Sequence, residues 1–343
     1  MARTLEPLLE AIRAARTVLV CAHLNPDGDA IGSTLALCHA LTAAGKRVTA
    51  VNRDPVPLSL SGLPGAEQIR RIDSLGEDER FDLLLLTDVS DARRVTGSEA
   101  GFEALRARCG HCAQIDHHGT NPLFCEVNAV DGEAPAVCLP VRELIARLGV
   151  PLTPDLAACL YAGLSTDTGN FAYGSTTPEA FRVAAELVEA GLDLAKWHRA
   201  LFVETSLAAV RLESRALNSL TLSDDGRAAV MRLSRQDFAE TGGLPEHCDN
   251  LANRALAIRG VRCAALCREE ADGSVKLSLR ALPPFRVDAI AQRHGGGGHA
   301  QAAGATVHVG LEEAAGAVMG ELLAQCGVRS EECGWVSCRL RVF

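Results

Sequence analysis

The 343-residue chain is long enough for two domains with separate cores, and its 48% hydrophobic content belongs to a globular protein rather than a disordered one. Its net charge is −9, and residues 230–343 carry thirteen basic and thirteen acidic side chains, so the acidic excess lies in the first 229 residues. That balance excludes a long basic track for nucleic acid, but not a short nucleotide substrate or a cation-loaded site.

The opening MARTLEPLLEAIRAA has helical spacing with interspersed acids and no signal-peptide apolar block. Apolar runs such as Leu83 to Leu86 are too short to cross a bilayer, so a cytoplasmic protein without a membrane partner is expected. TVLVCAH reads as a buried strand, and AIGSTLALCHALTAAG as a helix ending at Gly45. KRVTAVN, FDLLLLTD and CAQIDHH read as further strands, with helices over about 134–149, 154–164 and 177–191. Strands separated by helical segments predict an α/β fold, a doubly wound and mostly parallel sheet over residues 1–191. Residues 192–221 read as a helical connector. Residues 222–343 read as a smaller α+β domain, with a hairpin across Asp272-Gly273 and a last helix in LEEAAGAVMGELLAQCG.

Thirteen cysteines without an even framework or a secretion signal imply reduced thiols. Cys109-Gly110-His111-Cys112 has the spacing of disulfide oxidoreductases, whose motif follows a strand and opens a helix. Here a helical stretch (FEALRAR) precedes the motif and an apolar strand (AQID) follows, so a helix-to-strand turn is predicted.

Three predicted strands end in chemistry-bearing residues. His23 ends VLVCAH and is followed by Asp27 and Asp29; Asp88 ends LLLLTD; Asp116, His117 and His118 end QIDHH. The carboxyl ends of parallel strands lie side by side and form a crevice, which would gather these groups. Asp167, in YAGLSTDTGNF, is a fourth candidate at the end of a helical run. Singly, an Asp ending a strand can be only a cap or turn former, as Asp29 before AIGSTLAL or Asp88 before VSDARR could be. Jointly, they suit a two-cation hydrolytic site, in which ions about 3.5–4 Å apart clamp the attacking and leaving oxygens of a phosphoryl displacement. Imidazole ligands shift the preference from magnesium toward manganese, with zinc, cobalt or iron as alternatives.

These residues resemble the motifs of the DHH phosphoesterases, a triplet that stands here as Asp116-His117-His118. His23-Leu24-Asn25-Pro26-Asp27-Gly28-Asp29 is similar to their first motif, Asp88 to their second, Asp167 to their fourth, and GGGGHAQAAGA (295–305) to the signature of the DHH-associated domain. The resemblance implies one cation on His23, Asp27 and Asp88, and a second on Asp29, Asp88, His117 and Asp167, with two Mn²⁺ expected. It implies that His118 faces the scissile phosphate, that Asp116 orients the neighbouring imidazole, and that Asn25 shapes the turn and touches substrate. It places the substrate on Gly296, Gly297, Gly298, His299 and Arg280, with Arg259 a weaker candidate. Ala302, Ala303 and Gly304 are expected to form a thin helix or turn.

Length discriminates within the family: there is no room for the OB-fold of RecJ-type exonucleases. The compact members resembled are nanoRNases that degrade very short RNA oligomers and remove the 3′-phosphate of pAp. The alternatives are a stand-alone phosphodiesterase for cyclic or linear dinucleotides and, further off, a nucleotide-binding sensor. The resemblance also suggests a homodimer.

Overall fold

The computed structural model of the chain describes residues 5–326. It divides into two compact units, Met1–Glu204 and Thr205–Phe343.

The first unit is built on six strands: β1 (Thr17–Cys21), β2 (Arg47–Asn52), β3 (Arg70–Arg71), β4 (Phe81–Thr87), β5 (Cys109–Asp116) and β6 (Val127–Val130). Their order across the sheet is β3-β2-β1-β4-β5-β6, and every pairing is parallel. Helices cover both faces, which explains why β4 is a continuous leucine run rather than an alternating one. Val18, Val20, Leu83 and Leu85 pack with α1 (Glu6–Ala14) and α2 (Gly28–Ala43). Leu19, Cys21, Leu84 and Leu86 point the other way, toward α3 (Arg93–Thr96) and α4 (Glu99–Arg106). Helices α5 (Cys138–Arg147), α6 (Pro154–Asp167) and α7 (Pro178–Glu189) complete the first face. Thr153-Pro154 and Thr177-Pro178 start α6 and α7: the threonine hydroxyl accepts from the amide of Leu156 or Ala180, and proline takes a first-turn position where no amide bond is lost.

The sheet turns at β1 and β4, where the chain winds away in opposite directions. The carboxyl ends of these neighbours open the crevice of a doubly wound fold. Beside it, helices α2 and α6 pack closely against each other through glycines. A Cβ on Gly32 would lie 2.4 Å from the Cys159 carbonyl oxygen, and one on Gly163 would lie 2.4 Å from Asp29 Oδ1.

The second unit holds a mixed sheet: β7 (Thr221–Leu222), β8 (Ala228–Leu233), β9 (Cys263–Glu269), β10 (Val275–Ala281), β11 (Gly297–His299) and β12 (Ala302–Val307), in the order β11-β12-β10-β9-β8-β7. Only β8 and β9 are parallel. The predicted hairpin joins β9 to β10, with Gly273 left-handed at φ +84°. Helix Leu311–Gln325 packs on one face, and helices Leu207–Asn218 and Leu251–Leu256 on the other.

Three expectations are corrected. The CGHC segment is the start of β5, not a turn: pairing with β4, Phe81 opposite Cys109, extends the strand through it. Cys112 Sγ lies 2.7 Å from Cys125 Sγ. Residues 302–307, expected as a helix or turn, form a strand, and the glycines before them form its partner. The helix expected over 134–149 spans only Cys138–Arg147. Among the described residues no helix is long and apolar enough to cross a membrane.

Candidate metal centre

Each strand of the switch region delivers one cluster of ligands. After β1 the chain makes a tight turn with Asn25 left-handed at φ +51°, its amide donating to Asp54 Oδ2. Asp27 then caps α2, accepting from the amides of Asp29 and Ala30. Asp27, not Asp29, is therefore the cap. Asp29 lies in the first turn of the helix, fully buried, and accepts the amides of Val137 and Cys138 at the start of α5. After β4, Asp88 is held at φ +58°, an uncommon conformation for a side-chain-bearing residue, and its amide donates to the Ile115 carbonyl. After β5 come His117 and His118; Asp167 is the last residue of α6.

The six residues expected to ligate cations converge. His23 Nε2 is 3.7 Å from Asp27 Oδ2 and 3.4 Å from Asp88 Oδ2. His117 Nε2 is 3.4 Å from Asp88 Oδ1, 3.5 Å from Asp167 Oδ2 and 3.9 Å from Asp29 Oδ2. Asp88 thus turns one oxygen to each imidazole. His23, Asp27 and Asp88 form one group with ligand atoms mutually within 4.8 Å, and Asp29, His117 and Asp167 form another.

The donor set fits cations on chemical grounds. Asp88 Oδ1 is buried and has no hydrogen-bond partner, a costly state for a carboxylate oxygen unless a cation meets it. His23 Nδ1 faces the Leu24 carbonyl at 2.8 Å and His117 Nδ1 faces that of Ala134 at 3.0 Å. Each Nδ1–H donates to its carbonyl, which orients the ring so that Nε2 points at the carboxylates and offers a lone pair to a cation once its proton is lost.

The electrostatics describe a site overloaded with negative charge. Burial opposes the charge on His23, but Asp27 and Asp88 overcome it and raise its pKa to about 10. Burial likewise opposes charge on His117, and Asp88, Asp29 and Asp167 raise it to about 10. Burial and then Asp88 push Asp29 up to about 7; burial and then Asp29 push Asp167 up to about 9. Burial disfavours the charge on Asp88, yet the flanking His117 and His23 hold it well below the usual carboxylate range. The crevice therefore holds protons where cations would neutralise the same excess charge.

His118 is oriented rather than enclosed. Its Nδ1 lies 2.8 Å from Asp116 Oδ1, and Asp116 is fully buried. Asp116 Oδ2 accepts from Asn121 Nδ2 at 2.6 Å, and Asn121 Nδ2 also donates to the Val89 carbonyl at 2.9 Å. Gln114 Nε2 donates to Asn121 Oδ1 at 3.1 Å. Sequence reasoning missed Gln114 and Asn121. The available signal was a glutamine inside an apolar strand, which must find a partner when buried. It also missed Arg94, whose Nη2 is 3.3 Å from His23 Nδ1 and whose carbonyl accepts the Leu24 amide.

The residues expected to hold substrate in the second unit share one row. Arg280 on β10 stands opposite Ala302 on β12, and Ala302 stands opposite His299 on β11. Opposed residues project from the same face, so Arg280 and His299 flank a small alanine. Gly298, at φ +142°, permits the strand contact: a Cβ there would lie 2.5 Å from the Ala302 carbonyl oxygen. A Cβ on Gly296 would lie 2.1 Å from that of Gly304, whereas Gly297 has open space around it. Arg259 is exposed after helix Leu251–Leu256.

Known proteins resemble this chain over most of its length. Residues 17–164 match the DHH family, N-terminal domain, and residues 225–325 match the DHHA1 domain. The bifunctional oligoribonuclease and PAP phosphatase NrnA of Thermus thermophilus is 34% identical over 89% of this chain and 88% of its own. The Bacillus subtilis protein of the same name is 26% identical over 88% of this chain and 92% of its own. A crystal structure of an exopolyphosphatase-related protein from Bacteroides fragilis superposes with a TM-score of 0.85 at 26% identity, covering 94% of each chain. Fold, donor set and relatives together define a hydrolase of phosphoric esters. The chain belongs to the DHH family, with a DHHA1 domain following its DHH domain.

Proposed function

We propose that this phosphoesterase hydrolyses short RNA oligonucleotides to mononucleotides and removes the 3′-phosphate of pAp, with two divalent transition cations, manganese foremost. The observation that carries the reading is Asp88, which turns one oxygen toward each of two imidazole-centred groups, the Oδ1 oxygen being buried without a hydrogen bond. The printed activities of the Thermus and Bacillus relatives support the substrate class.

In this reading His23, Asp27 and Asp88 hold one cation, and Asp29, Asp88, His117 and Asp167 hold the other. When bound, the pair supplies a hydroxide at neutral pH and neutralises charge on the phosphoryl oxygens. The remaining residues position the reactants. Asp116 keeps the Nδ1 proton of His118, leaving Nε2 to meet the phosphate; Asn121 locks Asp116. Asn25 shapes the turn that presents Asp27 and lies open to the substrate. Arg280, His299 and the glycine amides of 296–298 grip the substrate's terminal phosphate in the second unit. Such contacts are charge-assisted.

The test is a metal-dependent assay of chelator-stripped protein on pAp, a ribodinucleotide and a cyclic dinucleotide. Release of phosphate from pAp and of mononucleotides from the ribodinucleotide is expected. Turnover of the cyclic dinucleotide alone would move the activity to the dinucleotide phosphodiesterases. Binding without turnover would make it a sensor.

A further inference from the structure

Aromatic residues are scarce in this chain: two Trp, two Tyr and nine Phe in 343 residues. Three of them, Phe171, Tyr173 and Phe181, stand within eleven residues just after Asp167, the ligand candidate at the end of α6. The other tyrosine, Tyr161, is buried in the core, whereas Tyr173 is 60% exposed.

The backbone between Asp167 and Tyr173 is unusual. Gly169, Asn170 and Phe171 are successively left-handed, at φ +56°, +55° and +64°. Side-chain-bearing residues persist in that region only where the surroundings over-determine them, and such places cluster at functional sites. The surroundings here are specific. The Asn170 amide donates to the Ser165 carbonyl at 2.6 Å, the Phe171 amide to Thr168 Oγ1 at 3.1 Å, and the Tyr173 amide to the Thr168 carbonyl at 2.9 Å. Thr168 is itself fully buried, and the Phe171 ring packs against the core and stacks on Phe181 at 5.2 Å. The reversal seats the Tyr173 ring directly over Gly169, where a Cβ would lie 2.3 Å from a ring carbon. The ring is thus supported from beneath, anchored two residues from Asp167 and open to solvent. Among the described residues no hydrogen bond engages its hydroxyl.

We propose that Tyr173 is a base-stacking platform, taking the nucleobase of the nucleotide whose phosphate is bound at the adjoining cluster. This rests on the nucleotide reading above. A supported aromatic face is what an unpaired base seeks, and stacking accepts any base. One such platform provides for one base rather than a strand, which suits substrates of a few nucleotides. It also distinguishes nucleotides from other phosphoric esters.

The test is calorimetric binding to the full chain loaded with Mn²⁺. Two probes are used: a non-hydrolysable methylenephosphonate ribodinucleotide and its abasic counterpart. Wild type is expected to prefer the base-bearing probe, and Tyr173→Ala to lose roughly five- to a hundredfold in affinity for it. Tyr173→Phe, which keeps the ring, stays within about twofold of wild type by the same stacking argument. The abasic probe binds all three proteins alike, which also establishes that the variants are folded. If wild type hydrolyses a ribodinucleotide but Tyr173→Ala binds the base-bearing probe like wild type, the platform is overturned and the nucleotide reading stands. Equal losses in Tyr173→Ala and Tyr173→Phe would assign the effect to the hydroxyl and also overturn stacking. If wild type neither binds nor hydrolyses the dinucleotide, the nucleotide reading fails and the platform with it.

Discussion

Asp88 combines a left-handed backbone, near-complete burial and a buried oxygen without a hydrogen bond. In the proposed two-cation reading, removing its carboxylate takes a ligand from both cations, so Asp88→Ala is expected to cut turnover on the order of a thousandfold. Manganese titration should show both binding events weakened while the circular dichroism stays native. A variant with near-normal turnover would contradict the bridging role. The neighbouring groups predict a pH dependence. His23 and His117 are raised to about 10 and Asp167 to about 9, so without cations all three hold protons at pH 8. Cation binding must expel those protons, so affinity should climb with pH up to those values and fall as the solution is acidified. Calorimetry at pH 8 in buffers of different ionisation enthalpy should register net proton release; a buffer-independent enthalpy would count against these residues as ligands. The cluster was legible in the sequence because its members sit at the ends of apolar runs. Gln114 and Asn121 were not, because only the folded strand shows that Asn121 reaches both Asp116 and Val89.

Helices α2 and α6 carry Asp29 and Asp167 and meet closely through glycines. Gly163 gives α6 no side chain where Asp29 and Cys138 approach, and an added methyl would lie 2.3 Å from Cys138 Sγ and 2.4 Å from Asp29 Oδ1. Gly163→Ala should therefore overpack the interface at a cost of about 1–3 kcal/mol. That corresponds to a melting temperature lower by roughly 2–10 °C, together with weaker manganese binding as Asp29 is displaced. Unchanged melting and unchanged binding would show that the helices have room to part. The strands and helices with strong periodicity were readable in advance. The start of β5 and the whole of β11 were not: Cys-Gly-His-Cys and Gly-Gly-His have little strand preference of their own. Their conformation comes from partners, β4 for the one and β12 for the other.

At the largest scale, the proposed reading puts the chemistry in the first unit and substrate capture in the second. Arg280 and His299 lie in one cross-strand row. Losing either charge-assisted contact should cost roughly 1.5–3 kcal/mol, on the order of ten- to a hundredfold in dinucleotide affinity. Calorimetry on Arg280→Ala and His299→Ala should find that loss with manganese binding unchanged. Wild-type dinucleotide affinity in both would reduce the glycine segment to an edge strand without a ligand. A two-cation centre that cleaves short nucleotides is tested by stripping the protein with chelator and restoring Mn²⁺ in steps while following mononucleotide release from a ribodinucleotide. The account predicts no turnover in the stripped protein and full turnover only as a second equivalent of Mn²⁺ per chain binds. Turnover in the stripped protein, or saturation at a single equivalent of Mn²⁺, would contradict it.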